Sequence, residues 1–355
     1  MMSDASPSIL PDATPASLVA AFAALREARP GLRARDAASE LQTTEAALLA
    51  SGALGPVTPL RPDWKALLAA LPSLGRVMAL TRNDHAVHER KGVYHPPQGG
   101  DRALLVLGPD IDLRLFPGGW AHAYALGGER PSIQIFARDG SAVHKVHATG
   151  ETDLAAWDSA VARLAGPGEP PPMAPARPGA EAERPVDAAA LRADWLALRD
   201  THAFFGLLRR HGASRRQAFR LAGEDLALRL PPSAGAETLR RAASSGMSIM
   251  VFVGNAHAIQ IHTGPVRRVA DSHGWFNILD PDFNLHLRES GVAEAWRVVK
   301  PTDDGPVTSV ELLDAWGGTV AMLFGARKPG QPEQAEWRAL VGAVAGAVVG
   351  EVAVP

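Results

Sequence analysis

The sequence predicts an α+β fold made by tandem duplication of a domain with a large antiparallel β-sheet and helices packed on it. The first observation is an internal repeat: residues 82–87 (RNDHAV) align with 254–259 (GNAHAI), and 109–115 align with 281–287 at the same spacing of 172 residues. The second is that helical segments precede a run of strand-like segments in each half. An ungapped register over several such segments is hard to obtain by chance, so we interpret the chain as two related halves.

A proline-rich segment separates the two halves. Residues 166–186 contain seven prolines together with Gly, Ala and Glu, a composition that sustains neither a helix nor a sheet ladder. This segment falls where the repeat places the boundary. We therefore predict an N-terminal repeat over residues 1–165, a linker over 166–186 and a C-terminal repeat over 187–355.

The predicted helices come first in each half. Helical patterns cover residues 16–27 and 34–51 in the first half and 187–210 and 215–228 in the second. Segment 43–45 and Ser214 are the candidate N-caps. Alternating apolar and polar residues then predict strands between 76 and 137 and between 248 and 314. Each half closes with a helix that carries a tryptophan, Trp157 or Trp337.

The composition is that of an ordinary soluble protein. The chain has 355 residues, of which 46% are hydrophobic and 21% charged, and its net charge of -2 argues against a broad nucleic-acid surface. It contains no cysteine, which removes disulfides and thiolate metal sites and fits a reducing compartment. No stretch reaches the roughly 20 apolar residues of a membrane helix. We expect a cytoplasmic protein without a membrane span or a nucleic-acid partner.

His202 is the first candidate for binding a cofactor. It lies in a segment with a helical pattern, and Phe205 and Arg209 follow three and seven residues later on the same helical face. A neutral imidazole beside aromatic side chains is a common way to hold haem iron, with the Nε2 lone pair as the axial ligand. The alternative is a partly buried histidine that is hydrogen-bonded to the backbone. The repeat favours the ligand, because the chain has no histidine before His85 and the first half therefore has no counterpart of His202.

Haem is a dianion through its propionates, so a chain that is nearly neutral must supply local cations to bind it. Arg215, Lys300 and Arg327 lie in three separate segments of the second half, each at the edge of a predicted element. The alternative for each is a solvated surface charge, which is the usual fate of lysine and arginine.

The other histidines do not have the pattern of a zinc site. His85, His88 and His95 form one sequence cluster, and His144 and His147 form another. On a strand, a separation of three residues points two side chains to opposite faces. No cysteine or well-spaced carboxylate completes a tetrahedral ligand set.

The sequence resembles the proteobacterial cytoplasmic family of haemin-degrading factors and haem-trafficking proteins, of the HemS/HmuS/ChuS/PhuS type. The resemblance covers about residues 21–341. Its most specific stretches are 78–89 (MALTRNDHAVHE), 112–116 (DLRLF), 200–205 (DTHAFF), 252–255 (FVGN), 259–264 (IQIHTG), 275–288 (WFNILDPDFNLHLR) and 300–305 (KPTDDG).

The resemblance implies two similar α+β halves with one haem (iron protoporphyrin IX) in a cleft between them, against the C-terminal half. It identifies His202 as the ligand of the haem iron. It also implies that Arg215 and Lys300 make cationic contacts to the haem. Phe252 is implied to pack against the porphyrin, and Arg327 to lie near the propionates. Arg114 of the first half is implied to reach the distal face of the haem.

Two positions depart from the family pattern. Met322 and Phe324 stand in the last strand where relatives commonly have Gln and Tyr, so hydrogen bonds near the haem edge are expected to be missing. The resemblance also raises a second haem in the N-terminal half, with His85 or His88 as its ligand.

Three functions are open at this point. The first is a carrier that takes haem from an importer and stores it or delivers it to a haem oxygenase. The second is an enzyme that breaks down haem and releases iron, with Arg114 acting on the distal side and electrons supplied from outside, since no flavin or nicotinamide motif is present. The third is a regulator that binds a non-haem ligand on the same duplicated scaffold.

Overall fold

The computed structural model describes residues 14–175, 183–328 and 330–351, with side chains up to residue 346 in the last of these ranges. These residues form two compact units. The N-terminal unit contains residues 14–81, 90–175 and 256–259, and the C-terminal unit contains 82–89, 183–255 and 260–351. Each unit therefore takes most of its residues from one half of the sequence and a short segment from the other.

The first half of the chain forms five helices and nine strands within its described residues. The helices are α1 (Pro15–Ala28), α2 (Ala34–Glu40), α3 (Glu45–Ala50), α4 (Trp64–Ala70) and α5 (Leu154–Leu164). The strands are β1 (Val57–Leu60), β2 (Gly75–Arg82), β3 (Ala86–Val93), β4 (Gln98–Gly100), β5 (Ala103–Leu107), β6 (Asp112–Leu115), β7 (Trp120–Leu126), β8 (Ser132–Ala137) and β9 (Ala142–Thr152).

The N-terminal unit is built on an antiparallel sheet in the order β1-β7-β8-β9-β2, with β4, β5 and β6 forming a second antiparallel ribbon. Its core joins the sheet to α4 and α5, with Trp157 of α5 only 3% exposed. Trp64 and Trp120 meet edge to face at 5.4 Å within this core. Helices α1 to α3 share a smaller core, and Leu49 of α3 also packs in a cluster with Tyr124 and Phe136 of the sheet.

The second half repeats the same order of strands. Its helices are α6 (Ala188–Leu196), α7 (Ala203–His211), α8 (Arg215–Leu221), α9 (Ala234–Ser245) and α10 (Ala335–Glu351). Its strands are β10 (Ala227–Leu230), β11 (Ser248–Asn255), β12 (Ala258–Pro265), β13 (Val269–Ser272), β14 (Trp275–Leu279), β15 (Phe283–Arg288), β16 (Glu294–Lys300), β17 (Val307–Leu313) and β18 (Thr319–Gly325).

The C-terminal unit has a sheet in the order β10-β16-β17-β18-β11 and a ribbon of β13, β14 and β15. One face of the sheet packs against α9 and α10. Trp337 of α10 is fully buried there, and its indole N–H donates to the Thr308 carbonyl at 2.9 Å. The opposite face carries α6, α7 and α8 at one end, where Trp195, Phe204 and Phe219 form a second core.

The predicted fold class is confirmed, since both units are antiparallel sheets with packed helices and repeat one strand order. Both predicted N-caps are also present: the hydroxyl of Thr44 accepts from the Ala47 N–H at 3.0 Å, and that of Ser214 accepts from the Gln217 N–H at 3.1 Å. The limits of the three sequence segments stay a prediction. Linker residues 166–175 form no helix or strand, and residues 176–182 lie outside the described ranges.

Three predicted helices were wrong in extent. The helix over 34–51 is two helices, because Gln42 adopts a left-handed conformation with φ of 52° and Thr44 starts α3. The helix over 187–210 is interrupted after Leu196, and α7 begins only after His202. The helix over 215–228 ends before Gly223, whose φ is 91°, and the chain continues as β10.

No helix within the described ranges is long and apolar enough to cross a membrane.

Candidate functional site

Strands β18 and β11 of the C-terminal sheet carry a half-exposed apolar face. Side chains alternate along these strands, so that Val251 and Leu323 lie in the core while Phe252, Met322 and Phe324 lie on the opposite face. Phe252 pairs with Met322 in the register of the two strands, and the rings of Phe252 and Phe324 meet edge to face at 5.0 Å. This face can receive a flat apolar molecule.

Helices α6, α7 and α8 cover the neighbouring strands on the same side of the sheet. Their core contains Trp296 and Val298 of β16 and Leu313 of β17, but no residue of β18 or β11. The half-exposed apolar face therefore begins where this helical layer ends. Phe204 of α7 lies at that border, because its ring is close to cations that also contact Met322 and Phe324.

Two cations and one carboxylate form a buried cluster at this border. Lys300 at the end of β16 is 4% exposed, and Glu311 of β17 is fully buried. The Lys300 ammonium lies 2.5 Å from Oε1 of Glu311, and Arg215, the first residue of α8, pairs with Oε2. The Arg215 guanidinium also lies 3.9 Å from the Met322 sulfur, and the Lys300 ammonium lies 4.7 Å from the centre of the Phe204 ring.

The two cations keep Glu311 ionised. Burial by itself would raise the pKa of Glu311, but the charges of Lys300 and Arg215, together with hydrogen bonds from Lys300 and from the Ser309 hydroxyl, lower it to about 2. Burial lowers the pKa of Lys300, and Glu311 opposes that effect. With all three groups ionised the cluster has a net charge of +1.

The N-terminal unit has different charges at the matching places. Glu45 is the first residue of α3, as Arg215 is of α8, and it pairs with the buried Lys145 of β9. Gln134 is the counterpart of Glu311. In the strand register Gln134 pairs with Tyr124 and Lys145, and Glu311 pairs with Trp296 and Met322. At these matching places the charges of Glu45 and Lys145 cancel, whereas the cluster of Lys300, Glu311 and Arg215 has a net charge of +1.

His202 lies at the start of α7 and not within a helix. It is the residue before Ala203, and its side chain is 88% exposed, so the alternative of a partly buried histidine was wrong. Its Nδ1 lies 2.7 Å from Oδ1 of Asp200, and its backbone N–H donates to the same oxygen at 2.8 Å. These two hydrogen bonds lower the pKa of Asp200. Because Nδ1 faces a carboxylate, Nε2 is the nitrogen available to a ligand.

The turn that carries His202 is tied to the loop after β16. The side chain of Arg199 lies 2.7 Å from Asp303, and the Asp303 N–H donates to the Arg199 carbonyl at 3.0 Å. The same loop carries Asp304, whose carboxylate lies 3.9 Å from the Arg327 guanidinium. Nη1 of Arg327 is buried and has no hydrogen-bond partner in the described part of the chain. The positive charge of Arg327 also contributes to lowering the pKa of Asp200.

The structure thus brings together Arg215, Lys300, Met322, Phe324 and Phe252 of the predicted set. His202 and Arg327 are linked to each other through Asp200 and the loop after β16.

Arg114 belongs to the N-terminal unit. It lies on β6, is 30% exposed and pairs with Asp112. Its predicted role stays a prediction.

Sequence reasoning missed Glu311, Phe204 and Asp200. A signal for Glu311 was present, since residues 307–313 (VTSVELL) place one acid in an otherwise apolar or small strand. Asp200 stands two residues before His202, a spacing at which a carboxylate can accept from a following backbone N–H. Phe204 had no signal that separates it from an ordinary core residue.

His144, which the sequence analysis weighed as a zinc ligand together with His147, is hydrogen-bonded through both ring nitrogens. Nδ1 of His144 lies 2.8 Å from the Thr81 hydroxyl, and Nε2 lies 2.5 Å from the Tyr94 hydroxyl. Burial lowers the pKa of His144 to about 3, so the ring is neutral at physiological pH. Both nitrogens are engaged in the core of the N-terminal unit.

Comparison with known families gives one match that repeats along the chain. The model of the haemin-degrading HemS.ChuX domain matches residues 42–164 and again residues 212–344. The two matches cover the two copies of the internal repeat.

Individual relatives match over nearly the whole chain. The hemin transport protein HmuS of Yersinia pestis is 41% identical over 330 residues, which are 91% of this chain and 96% of the relative. The crystal structure of holo-PhuS, a heme-binding protein from Pseudomonas aeruginosa, has a TM-score of 0.88 with 50% identity and covers 93% of this chain and 98% of its own. The heme degrading enzyme ChuS of Escherichia coli O157:H7 has a TM-score of 0.87 with 40% identity and covers 93% and 99%.

The buried cluster makes stability depend on pH. Since the pKa of Glu311 is about 2 in the folded protein and near 4.5 when unfolded, its contribution is fully present above pH 4.5 and is lost as the pH falls toward 2. We expect Glu311→Gln to lower the free energy of unfolding by about 3 kcal/mol at pH 7 and by progressively less below pH 4.5.

Urea unfolding of both proteins between pH 7 and pH 3 measures this difference. Glu336→Gln, at an exposed acid of α10, is the control and should leave the pH dependence of the wild type nearly unchanged. A difference between wild type and Glu311→Gln that stays constant over the whole range would contradict the assignment.

Proposed function

Because the chain belongs to the family of the haemin-degrading HemS/ChuX domain, we propose that it binds one haem on the half-exposed apolar face of its C-terminal unit, with His202 as the iron ligand. The observation that carries the proposal is the imidazole of His202, which is exposed and oriented by Asp200. Two residues later in the chain, the ring of Phe204 lies 4.7 Å from the Lys300 ammonium of the cluster of net charge +1. The relatives named as heme-binding and hemin transport proteins support it.

The residues present fit the chemistry of haem. Asp200 fixes the tautomer in which the proton is on Nδ1 and the lone pair is on Nε2, and a carboxylate behind an imidazole also increases its basicity toward a metal. Phe252, Met322 and Phe324 offer apolar surface to the porphyrin. Thioether and aromatic side chains adapt well to a flat ring system.

The propionates need cations, and the C-terminal unit provides them. Arg215 is the more exposed member of the buried cluster, with 21% of its side chain exposed. Nη1 of Arg327 is buried without a partner within the described residues and is therefore a donor for a carboxylate. Each such charge-assisted hydrogen bond contributes about 1.5–3 kcal/mol. Haem itself would supply the redox-active iron, while these residues bind it, orient it and neutralise its charge.

As a function, we propose carriage of haem in the cytoplasm during iron acquisition, with a haem importer as donor and a haem oxygenase as acceptor. An exposed histidine suits a carrier, because a ligand that reaches solvent can be replaced by the ligand of an acceptor protein without unfolding of the site.

Haem degradation is the second candidate, and it is favoured by the similarity to ChuS, which is named a heme degrading enzyme. Incubating the haem-loaded protein with ascorbate, with and without catalase, separates the two functions. Loss of the haem spectrum that persists with catalase would support degradation, because peroxide chemistry is then removed. If catalase abolishes the loss, peroxide damage accounts for it, and carriage is favoured over degradation.

His202→Ala should weaken haem binding about tenfold or more, which is about 1.4 kcal/mol or more, and should change the Soret band. The reason is that the variant removes the iron ligand and leaves the apolar face and the cations in place. Haemin titration of the apoprotein measures both effects. His95→Ala, at an exposed histidine of the N-terminal unit, is the matched control and should bind as the wild type does. Unchanged affinity and spectrum in His202→Ala would refute the ligand.

Asp200→Asn should weaken haem binding about 10-fold and lower the iron–histidine stretching frequency of the ferrous protein in resonance Raman spectra. An amide accepts a weaker hydrogen bond from Nδ1–H and so makes the imidazole a poorer donor to iron. Asp158→Asn, at an exposed acid of α5 in the N-terminal unit, is the control and should leave both readouts unchanged. The same frequency in Asp200→Asn and wild type would show that the carboxylate does not act through the imidazole.

A further inference from the structure

We propose that Glu311 sets the strength and the lifetime of haem binding, because it holds the cations that a haem propionate needs. The inference rests on the proposed function and deepens it. Glu311 would be a positioning residue that makes the bound haem releasable.

The two cations of the buried cluster already have a carboxylate partner. Oε1 of Glu311 accepts from the Lys300 ammonium and the Ser309 hydroxyl, and Oε2 accepts from the Arg215 guanidinium. Without Glu311, the ammonium of Lys300 would be a buried charge with no counterion. Glu311 therefore stabilises the cluster when no ligand is bound.

The carboxylate of Glu311 also weakens the binding of a haem propionate. A propionate that approaches Arg215 or Lys300 meets a cluster of net charge +1 and not +2, and it has to share each cation with Glu311. Like charges at close range in a partly buried site repel each other strongly. Glu311 therefore lowers the affinity for haem, but it keeps the cations in place before haem binds and allows haem to be released.

In the other copy of the duplicated scaffold a neutral residue stands at this position. Gln134 occupies the matching place in the N-terminal unit, and it donates to the Ser132 hydroxyl at 2.9 Å, as Ser309 donates to Glu311 at 2.9 Å. Gln134 and Glu311 are both buried. Gln134 lies on β8 between β7 and β9, and Glu311 lies on β17 between β16 and β18. The substitution Glu311→Gln therefore introduces the side chain that the other copy carries.

The test is the rate at which haem leaves the full-length protein for excess apomyoglobin, together with the haemin dissociation constant. Glu311→Gln should release haem about tenfold more slowly and bind it about tenfold more tightly than the wild type. Its melting temperature without haem should fall, and haem should raise it by more than in the wild type, because a tighter ligand stabilises more.

Glu294→Gln is the matched control. Glu294 is also buried, lies on the adjacent strand β16 and pairs with Arg220 at 2.6 Å, away from Met322 and Phe324. Its release rate should equal that of the wild type. The inference is overturned if Glu311→Gln, shown to be folded by circular dichroism, releases haem as fast as the wild type or faster.

His202→Ala run in parallel separates this inference from the proposed function. If His202→Ala binds haem like the wild type, the proposed ligand is wrong, and slower release from Glu311→Gln would still support the role of Glu311. If only His202→Ala changes, the ligand stands and the role of Glu311 is overturned.

Discussion

The buried ion cluster of Lys300, Glu311 and Arg215 is the interaction on which the candidate site depends. It joins the end of β16, the middle of β17 and the first residue of α8, so it fixes the helical layer against the sheet at the border of the apolar face. The carboxylate of Glu311 is the common counterion, since its loss would leave the buried ammonium of Lys300 uncompensated. The position of the helices and the charge of the site are therefore set by the same contacts.

Duplication explains how such a site arises on one copy only. Both units keep the strand order, the N-capped helix after the turn and the closing tryptophan helix. At the matching positions of the cluster the side chains differ: Glu45 stands against Arg215 at the helix start and Gln134 against Glu311 in the strand. Each copy is stabilised by an apolar core of its own, so the polar residues of the cluster can differ between the copies without loss of the fold.

The sequence predicts the architecture well, because it depends on periodic patterns. The repeat spacing, the alternation in the strands and the cap residues Thr44 and Ser214 all act locally or at fixed offsets. The helix ends at Gln42 and Gly223 were missed, because they depend on single residues in left-handed conformation. Helical periodicity also extended through the turn before His202, although Asp200 makes a hydrogen-bonded turn there.

The site was predictable only in part. The residues His202, Arg215 and Lys300 came from pattern and family resemblance, but their partners depend on the register between distant strands. Glu311 and Arg215 are 96 residues apart, and nothing local pairs them. The folded sheet joins Arg215 and Lys300, which were predicted as separate cations, into one network around Glu311.

A crystal structure of the haem-loaded protein would identify the iron ligand and the face on which the porphyrin lies. We predict haem iron bonded to Nε2 of His202, with Nδ1 still facing Asp200 and the porphyrin against Phe252, Met322 and Phe324. Iron bonded to any other side chain, or haem bound away from this face, would contradict it.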